Sequence, residues 1–156
     1  MNELRRLIIK GSVAAGTLGV AVGAGLLVPG RVLAAWPDKA FGQKKMEDAL
    51  STLLGSAEMT ESAEISIKAP EIAENGAVVP VTVTVAMAGV ESITIAAPNN
   101  PAPLVASFDL ADGAHGYAST RIKMGKSGDV IAVVKADGKL YTAKKGVKVT
   151  IGGCGG

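Results

Sequence analysis

The alternation of apolar and polar residues changes character along the chain. Gly11 to Gly30 is an uncharged, mostly apolar run. Between Asp38 and Leu54, Met46, Ala49, Leu50 and Leu53 recur at i, i+3, i+4 and i+7, with Lys44, Lys45, Glu47 and Asp48 mostly elsewhere on the wheel. This predicts one helix packing an apolar stripe on the domain, started by Pro37 and Asp38 and stopped by Gly55. From Ala63 the period falls to two. Glu64–Ile67, Val79–Val85 and Ser92–Ile95 alternate cleanly, and Leu104, Ala106, Phe108 and Leu110 share one face. Ala118, Thr120, Ile122 and Met124 share another, and Val130–Lys135 is nearly continuous, as suits a central strand. Leu140–Thr142 and then Val147, Val149 and Ile151 close the series.

Turn residues separate these runs at Ala97–Pro101, Asp112-Gly113, Lys126–Gly128 and Asp137-Gly138. Asp137-Gly138 predicts a two-residue hairpin, because a type I′ turn needs positive φ at both central positions. Pro80 lacks an N–H and places its strand at a sheet edge or at that strand's start. About seven or eight short strands with turns roughly every 8–12 residues predict a mainly β chain, an antiparallel immunoglobulin-like β-sandwich with one N-terminal helix. The predicted divisions are 1–35, an export signal; 36–62, helix and linker; 63–151, the sandwich; and 152–156, a C-terminal arm.

Composition narrows the function. Only 3% of the 156 residues are aromatic against 48% apolar, so the core is aliphatic. Of the formal charge of +2, the excess sits at the N-terminus: Arg5, Arg6, Lys10 and Arg31 oppose Glu3, leaving 12 basic and 13 acidic residues downstream. The body therefore lacks the basic, aromatic-interleaved footprint of a nucleic-acid binder. A small basic group, Lys144, Lys145 and Lys148, reads as a solvated face rather than an anion-steering patch.

The N-terminus reads as a cleaved signal: a basic head, the Gly11–Gly30 run and the small residues Ala34-Ala35, with the mature chain starting at Ala35 or Trp36. A retained membrane helix is disfavoured by Gly11, Gly16, Gly19, Gly23, Gly25 and Gly30, each costing roughly 1 kcal/mol in a helix interior. No permanent membrane anchor is expected. Arg5-Arg6-Leu7-Ile8-Ile9-Lys10 resembles the twin-arginine export motif, although Leu4 and Ile8 depart from its commonest residues. That route carries folded proteins, which suits a chain that leaves the cytoplasm already bound to a partner without a signal.

The chemistry sits at the other end. The chain finishes Gly152-Gly153-Cys154-Gly155-Gly156, and Cys154 is its one cysteine. Glycines lose the most backbone entropy on ordering, so the segment is expected to be a thin, flexible arm. From Ile151 it places the thiol at most roughly 10 Å away. A lone cysteine in an exported protein points to intermolecular pairing or a reactive thiol. Cys154 is third from the end, so it is not a prenylation box, and no cluster of metal ligands or cofactor motif accompanies it; none is expected to bind. Nothing local lowers its pKa. His115, the single histidine, reads as a solvated loop residue rather than a base. The thiol is presented, not activated, so the chain is expected to be a carrier on which other enzymes act, not an enzyme.

The twin-arginine signal, the small β-sandwich and the Gly-Gly-Cys-Gly-Gly terminus together resemble the SoxY family, the carrier subunits of the periplasmic sulfur-oxidation system. The resemblance implies a periplasmic protein in complex with a SoxZ-like subunit that has no export signal. It implies that thiosulfate is oxidatively joined to Cys154 by haem-containing SoxAX and that SoxB then hydrolyses off sulfate. The remaining persulfide is oxidised, by a sulfane dehydrogenase for example, or handed on. Two other readings compete. One is a ubiquitin-like carrier using its terminal Gly-Gly, which needs cytoplasmic adenylation. The other is an exported structural or adhesive sandwich whose Cys154 forms an intermolecular disulfide.

Overall fold

The computed structural model describes residues 36–150. Among these residues two short helices, α1 (Asp38–Phe41) and α2 (Met46–Leu54), precede nine strands. These are β1 (Thr60–Glu61), β2 (Ile65–Lys68), β3 (Ile72–Ala73), β4 (Val79–Val85), β5 (Val90–Ala96), β6 (Leu104–Asp109), β7 (Tyr117–Ile122), β8 (Gly128–Ala136) and β9 (Lys139–Val149). One sheet runs β1-β9-β8-β5-β6 with β3 also on β9; the other runs β2-β4-β7. The antiparallel sandwich expected from the sequence is present. Two of its pairings are parallel, however, β1 and β3 against β9.

The period-two pattern sets the core between the sheets. Val79, Val81, Val83 and Val85 of β4 are buried against Ile93, Ile95, Val130, Ala132 and Val134 of the opposing sheet. Each valine or isoleucine among them contributes about 1.5–3 kcal/mol on full burial. The continuous apolar run of β8 follows from burial on both faces. Val130, Ala132 and Val134 point into the sandwich, while Val133 joins Leu104, Leu140 and the helix residues Ala40, Ala49 and Leu50 in a second cluster. The buried Thr94 hydroxyl is satisfied at 2.9 Å from Ser107 Oγ, as burial of a polar group requires.

Two sequence expectations are corrected. The single helix over 38–54 is two: α1 ends at Gly42, and Lys45 takes an extended conformation before α2 starts. Gly42 offers weak helix propensity, and the bend lets Ala40 and Leu50 both reach the second cluster. The two terminal strand segments are one strand, because pairing with β8 runs unbroken from Lys139 to Val147, through Gly146 opposite Asp129. Of the two placements Pro80 allows, a sheet edge or the start of its strand, the second holds: Pro80 is the second residue of β4, which lies at the centre of its sheet. Pro80 is tolerated because β2 stops opposite Thr82. Val85 donates its N–H to Gly116 O on the β7 side and Ala86 donates to Glu64 O on the β2 side. Alternation along the strand therefore turns the nitrogen of Pro80 toward the side where β2 has already ended.

The predicted Asp137-Gly138 turn forms as expected, with φ of 49° and 71°. Glu91 braces it: its carboxylate accepts from Lys135 Nζ at 2.7 Å and from the Gly138 N–H at 2.9 Å. The hydrogen bond from Lys135, then that from Gly138, holds the Glu91 pKa below its ordinary 4.5. A depressed folded-state pKa adds stability that is present above the unfolded value and lost as pH falls through the folded one. Glu91→Gln is thus expected to lower the melting temperature slightly at neutral pH, and the difference from wild type to close as pH falls below 4.5. A difference that stays constant across an acid titration would mean the ionised carboxylate contributes nothing.

Candidate functional site

Cys154, Gly152, Gly153, Gly155 and Gly156, and the export-motif residues Arg5 and Arg6, lie outside the described residues. What is described is the ground on which the C-terminal segment stands, the last residues of β9. On one flank they pair in parallel with β3, Ile72 opposite Lys148 and Ala73 opposite Val149. Lys148 donates its N–H to Glu71 O at 2.9 Å and Thr150 donates to Ala73 O at 3.0 Å. Val149 faces the other flank, where β8 has not yet begun. There Ser127 stands in for a strand neighbour: the Val149 N–H donates to its Oγ at 2.9 Å, and that hydroxyl donates to Val149 O at 3.3 Å.

Further bonds fix the latch. Asn99 Nδ2 donates to Ser127 O at 2.8 Å, Asn100 Nδ2 donates to Lys123 O at 2.7 Å, and the Gly125 N–H donates to Asn100 Oδ1 at 3.0 Å. Gly76 closes the remaining side, where an added Cβ would strike Met124 O and come 2.7 Å from Val149 Cγ1. Only glycine permits that approach. The strand is therefore held by hydrogen bonds on both edges up to Thr150, so the root of the C-terminal segment is fixed in place.

Beside the root runs an open groove of about 620 Å³, lined by Glu71, Ile72, Ser127, Asp129, Lys145 and Lys148 among others. Two lysines and two carboxylates are among its lining residues. Lys144 is elsewhere, 3.7 Å from Glu61 in a separate depression. The three lysines therefore do not form one basic patch, and the exposed Lys144–Glu61 pair is of a kind worth about 0–1 kcal/mol. His115 is exposed in the loop before β7. Among the described residues there is no cluster of three metal-ligating side chains, and no helix is long and apolar enough to cross a membrane.

Sequence reasoning did not find β3, Ser127 or the groove. Ile72-Ala73 is too short to show a period, and one serine in Lys126-Ser127-Gly128 reads only as a turn. The family model for the sulfur oxidation protein SoxY matches residues 50–154, which takes in the only cysteine. The chain belongs to the SoxY family. Among solved structures it is similar to the sulfur carrier protein SoxY from Chlorobium limicola f thiosulfatophilum, with 48% identity and a TM-score of 0.63 over 69% of this chain and 97% of that one. A reeler domain of human F-spondin also matches, at 13% identity and a TM-score of 0.38 over 58% of this chain and 95% of that one, and bears on nothing further. No curated protein matches. SoxY-family membership places the chain in sulfur oxidation, and the latched end of β9 is where this member hands over to the segment holding its thiol.

Proposed function

We propose that the protein carries sulfur covalently on Cys154 during thiosulfate oxidation and presents it to separate enzymes. The observation that carries this reading is the SoxY match extending through position 154 in a chain with one cysteine. The solved relative is itself a sulfur carrier protein. In the loading step the thiol loses its proton and its sulfur bonds to the terminal sulfur of thiosulfate, giving Cys–S–S–SO₃⁻. Two electrons pass to the oxidising enzyme, a haem protein of the SoxAX kind. Water then cleaves the S–SO₃ bond in a SoxB-type site, releasing sulfate and leaving the persulfide for oxidation or transfer. The thiol's own surroundings need supply no base, since each enzyme brings one. Gly152, Gly153, Gly155 and Gly156 keep the cross-section beside the sulfur small, so the segment enters a narrow channel.

Residues 1–35 serve as a cleaved twin-arginine signal read through Arg5 and Arg6, residues 36–62 as the helical lead-in, 63–151 as the sandwich and 152–156 as the arm. The mature protein is periplasmic and is exported folded with a SoxZ-like subunit. The test is intact mass of the chain purified from its host, before and after incubation with thiosulfate and the host's thiosulfate-oxidising enzyme. The expected result is a chain starting at Ala35 or Trp36 that gains one thiosulfate-derived adduct on the Cys154 peptide. A disulfide dimer with no adduct, or a change confined to Gly156, rejects the reading.

A further inference from the structure

We propose that Asn75 modifies itself: in the turn between β3 and β4 its side-chain amide is attacked by the main-chain nitrogen of Gly76 and becomes aspartate or isoaspartate, with release of ammonia. The proposal is independent of the carrier reading. Asn75 and Gly76 lie in a turn closed by the Val78 N–H, which donates to Asn75 O at 3.3 Å, and Asn75 is exposed. Its side chain is held as well. The Ala77 N–H donates to Asn75 Oδ1 at 2.9 Å, the ring by which an asparagine mimics a backbone turn. That ring closes over the intervening peptide, whose nitrogen belongs to Gly76. Among the described residues the Gly76 N–H donates to nothing, so no hydrogen bond has to break before this nitrogen attacks.

The reaction balances with water as its co-reactant. The Gly76 nitrogen gives its proton to solvent and bonds to Asn75 Cγ. The Cγ–Nδ2 bond breaks, solvent returns a proton to the departing nitrogen, and ammonia leaves behind a cyclic imide. While Cγ is tetrahedral, negative charge gathers on Oδ1. The Ala77 N–H already stands at that oxygen, in the place of an oxyanion donor. Water then opens the imide. Opening at Cγ gives an ordinary aspartate. Opening at the main-chain carbonyl gives isoaspartate, in which the chain runs through Cγ and gains one main-chain atom. No electrons are transferred.

The other asparagines among the described residues, Asn99 and Asn100, show what the turn supplies. The nitrogen that could attack Asn99 belongs to Asn100, and its N–H is committed to Ala97 O at 3.0 Å. Asn100 is followed by Pro101, which has no N–H to lose. Among the three, position 75 alone combines an uncommitted nucleophile with an oxyanion donor. The two products differ in what they do to the fold. Aspartate keeps a carboxylate oxygen for the Ala77 N–H. Isoaspartate lengthens the chain beside Gly76, which has no room to shift: an added Cβ there would strike Met124 O and come 2.7 Å from Val149 Cγ1. Gly76 O also accepts from the Met124 N–H at 2.7 Å, and this is the bond isoaspartate should break.

The experiment holds the mature chain, with whatever subunit copurifies, at neutral and at mildly alkaline pH. Each asparagine peptide is followed by mass, and isoaspartate is read by enzymatic methylation. In the folded chain, ammonia loss at position 75 is expected to exceed that at position 99 by at least ~10-fold. It should rise with pH, since a base must take the Gly76 proton. Asn75→Gln should abolish it, because the longer side chain closes the ring poorly. In urea the bond from Asn100 to Ala97 opens, so position 99 should gain rate and the ratio should narrow. Asn75→Asp should melt with wild type, whereas the separated isoaspartate form should melt roughly 4 °C lower, as the loss of one hydrogen bond implies. No conversion at position 75 in the folded chain, or conversion at position 99 at a similar rate, overturns the self-modifying turn. So does ammonia loss that persists in Asn75→Gln. A ratio unchanged in urea overturns it too, since the sequence alone would then set the rates. An isoaspartate form that melts with wild type overturns the predicted break between Met124 and Gly76.

Discussion

Cys154→Ser is expected to abolish sulfur loading while leaving the melting temperature within a degree or two of wild type. Loading makes a sulfur–sulfur bond, and a serine hydroxyl has no sulfur to offer, so the loss of adduct should be complete. Stability is set elsewhere. The two clusters of buried residues are built from side chains between Ala40 and Val147, and β9 is closed by main-chain and Ser127 bonds up to Thr150. These contacts are made among residues 36–150. A substitution away from such features normally changes stability by less than about 0.5 kcal/mol. Thermal unfolding and intact mass on the same sample check both halves. A strongly lowered melting temperature would show the thiol to be packed, and an adduct persisting on the serine chain would place loading at another residue.

The second large effect is expected from bulk beside the thiol. Gly153→Val with Gly155→Val adds two β-branched side chains, which stiffen the backbone and widen the segment. Thiol pKa follows charge and burial, and neither substitution adds charge. Iodoacetamide should therefore alkylate the double variant at nearly the wild-type rate. Turnover by an enzyme that admits the segment through a channel should fall by orders of magnitude, since a misplacement of even about 1 Å can cost roughly 10²-fold. Comparing the two rates on one preparation is the measurement. Normal enzymatic processing, or an equal fall in both rates, removes the access argument.

Local chemistry decided much about this protein without reference to the fold. The alternation in Val79–Val85 fixes which residues of β4 are buried, Asp137-Gly138 fixes a hairpin, and the unbroken apolar run from Val130 marks a strand covered on both faces. The expectation of a covalent carrier was equally local, because one cysteine among terminal glycines states its chemistry in five residues. Position 154 lies outside the described residues, so that expectation stands on sequence and family, not on geometry.

What depended on distant partners could not be read along the chain. The break between α1 and α2 is set by a cluster that Leu104, Val133 and Leu140 help to close. Gly146 lies inside β9 because β8 supplies a continuous ladder, although Leu140–Thr142 and the run of Val147, Val149 and Ile151 read as separate segments. Pro80 sits in a central strand because β2 is short, which nothing near Pro80 reveals. The same holds for the root of the C-terminal segment. Glu71, Ala73, Ser127 and Val149 are separated by many residues and meet only when β3 joins β9 and the turn before β8 folds against it. Hydrophobic period is a property of neighbours in sequence, so it specifies strands and faces. A hydrogen-bonded latch between remote segments is fixed by pairing and register, which exist only once the sheets have formed.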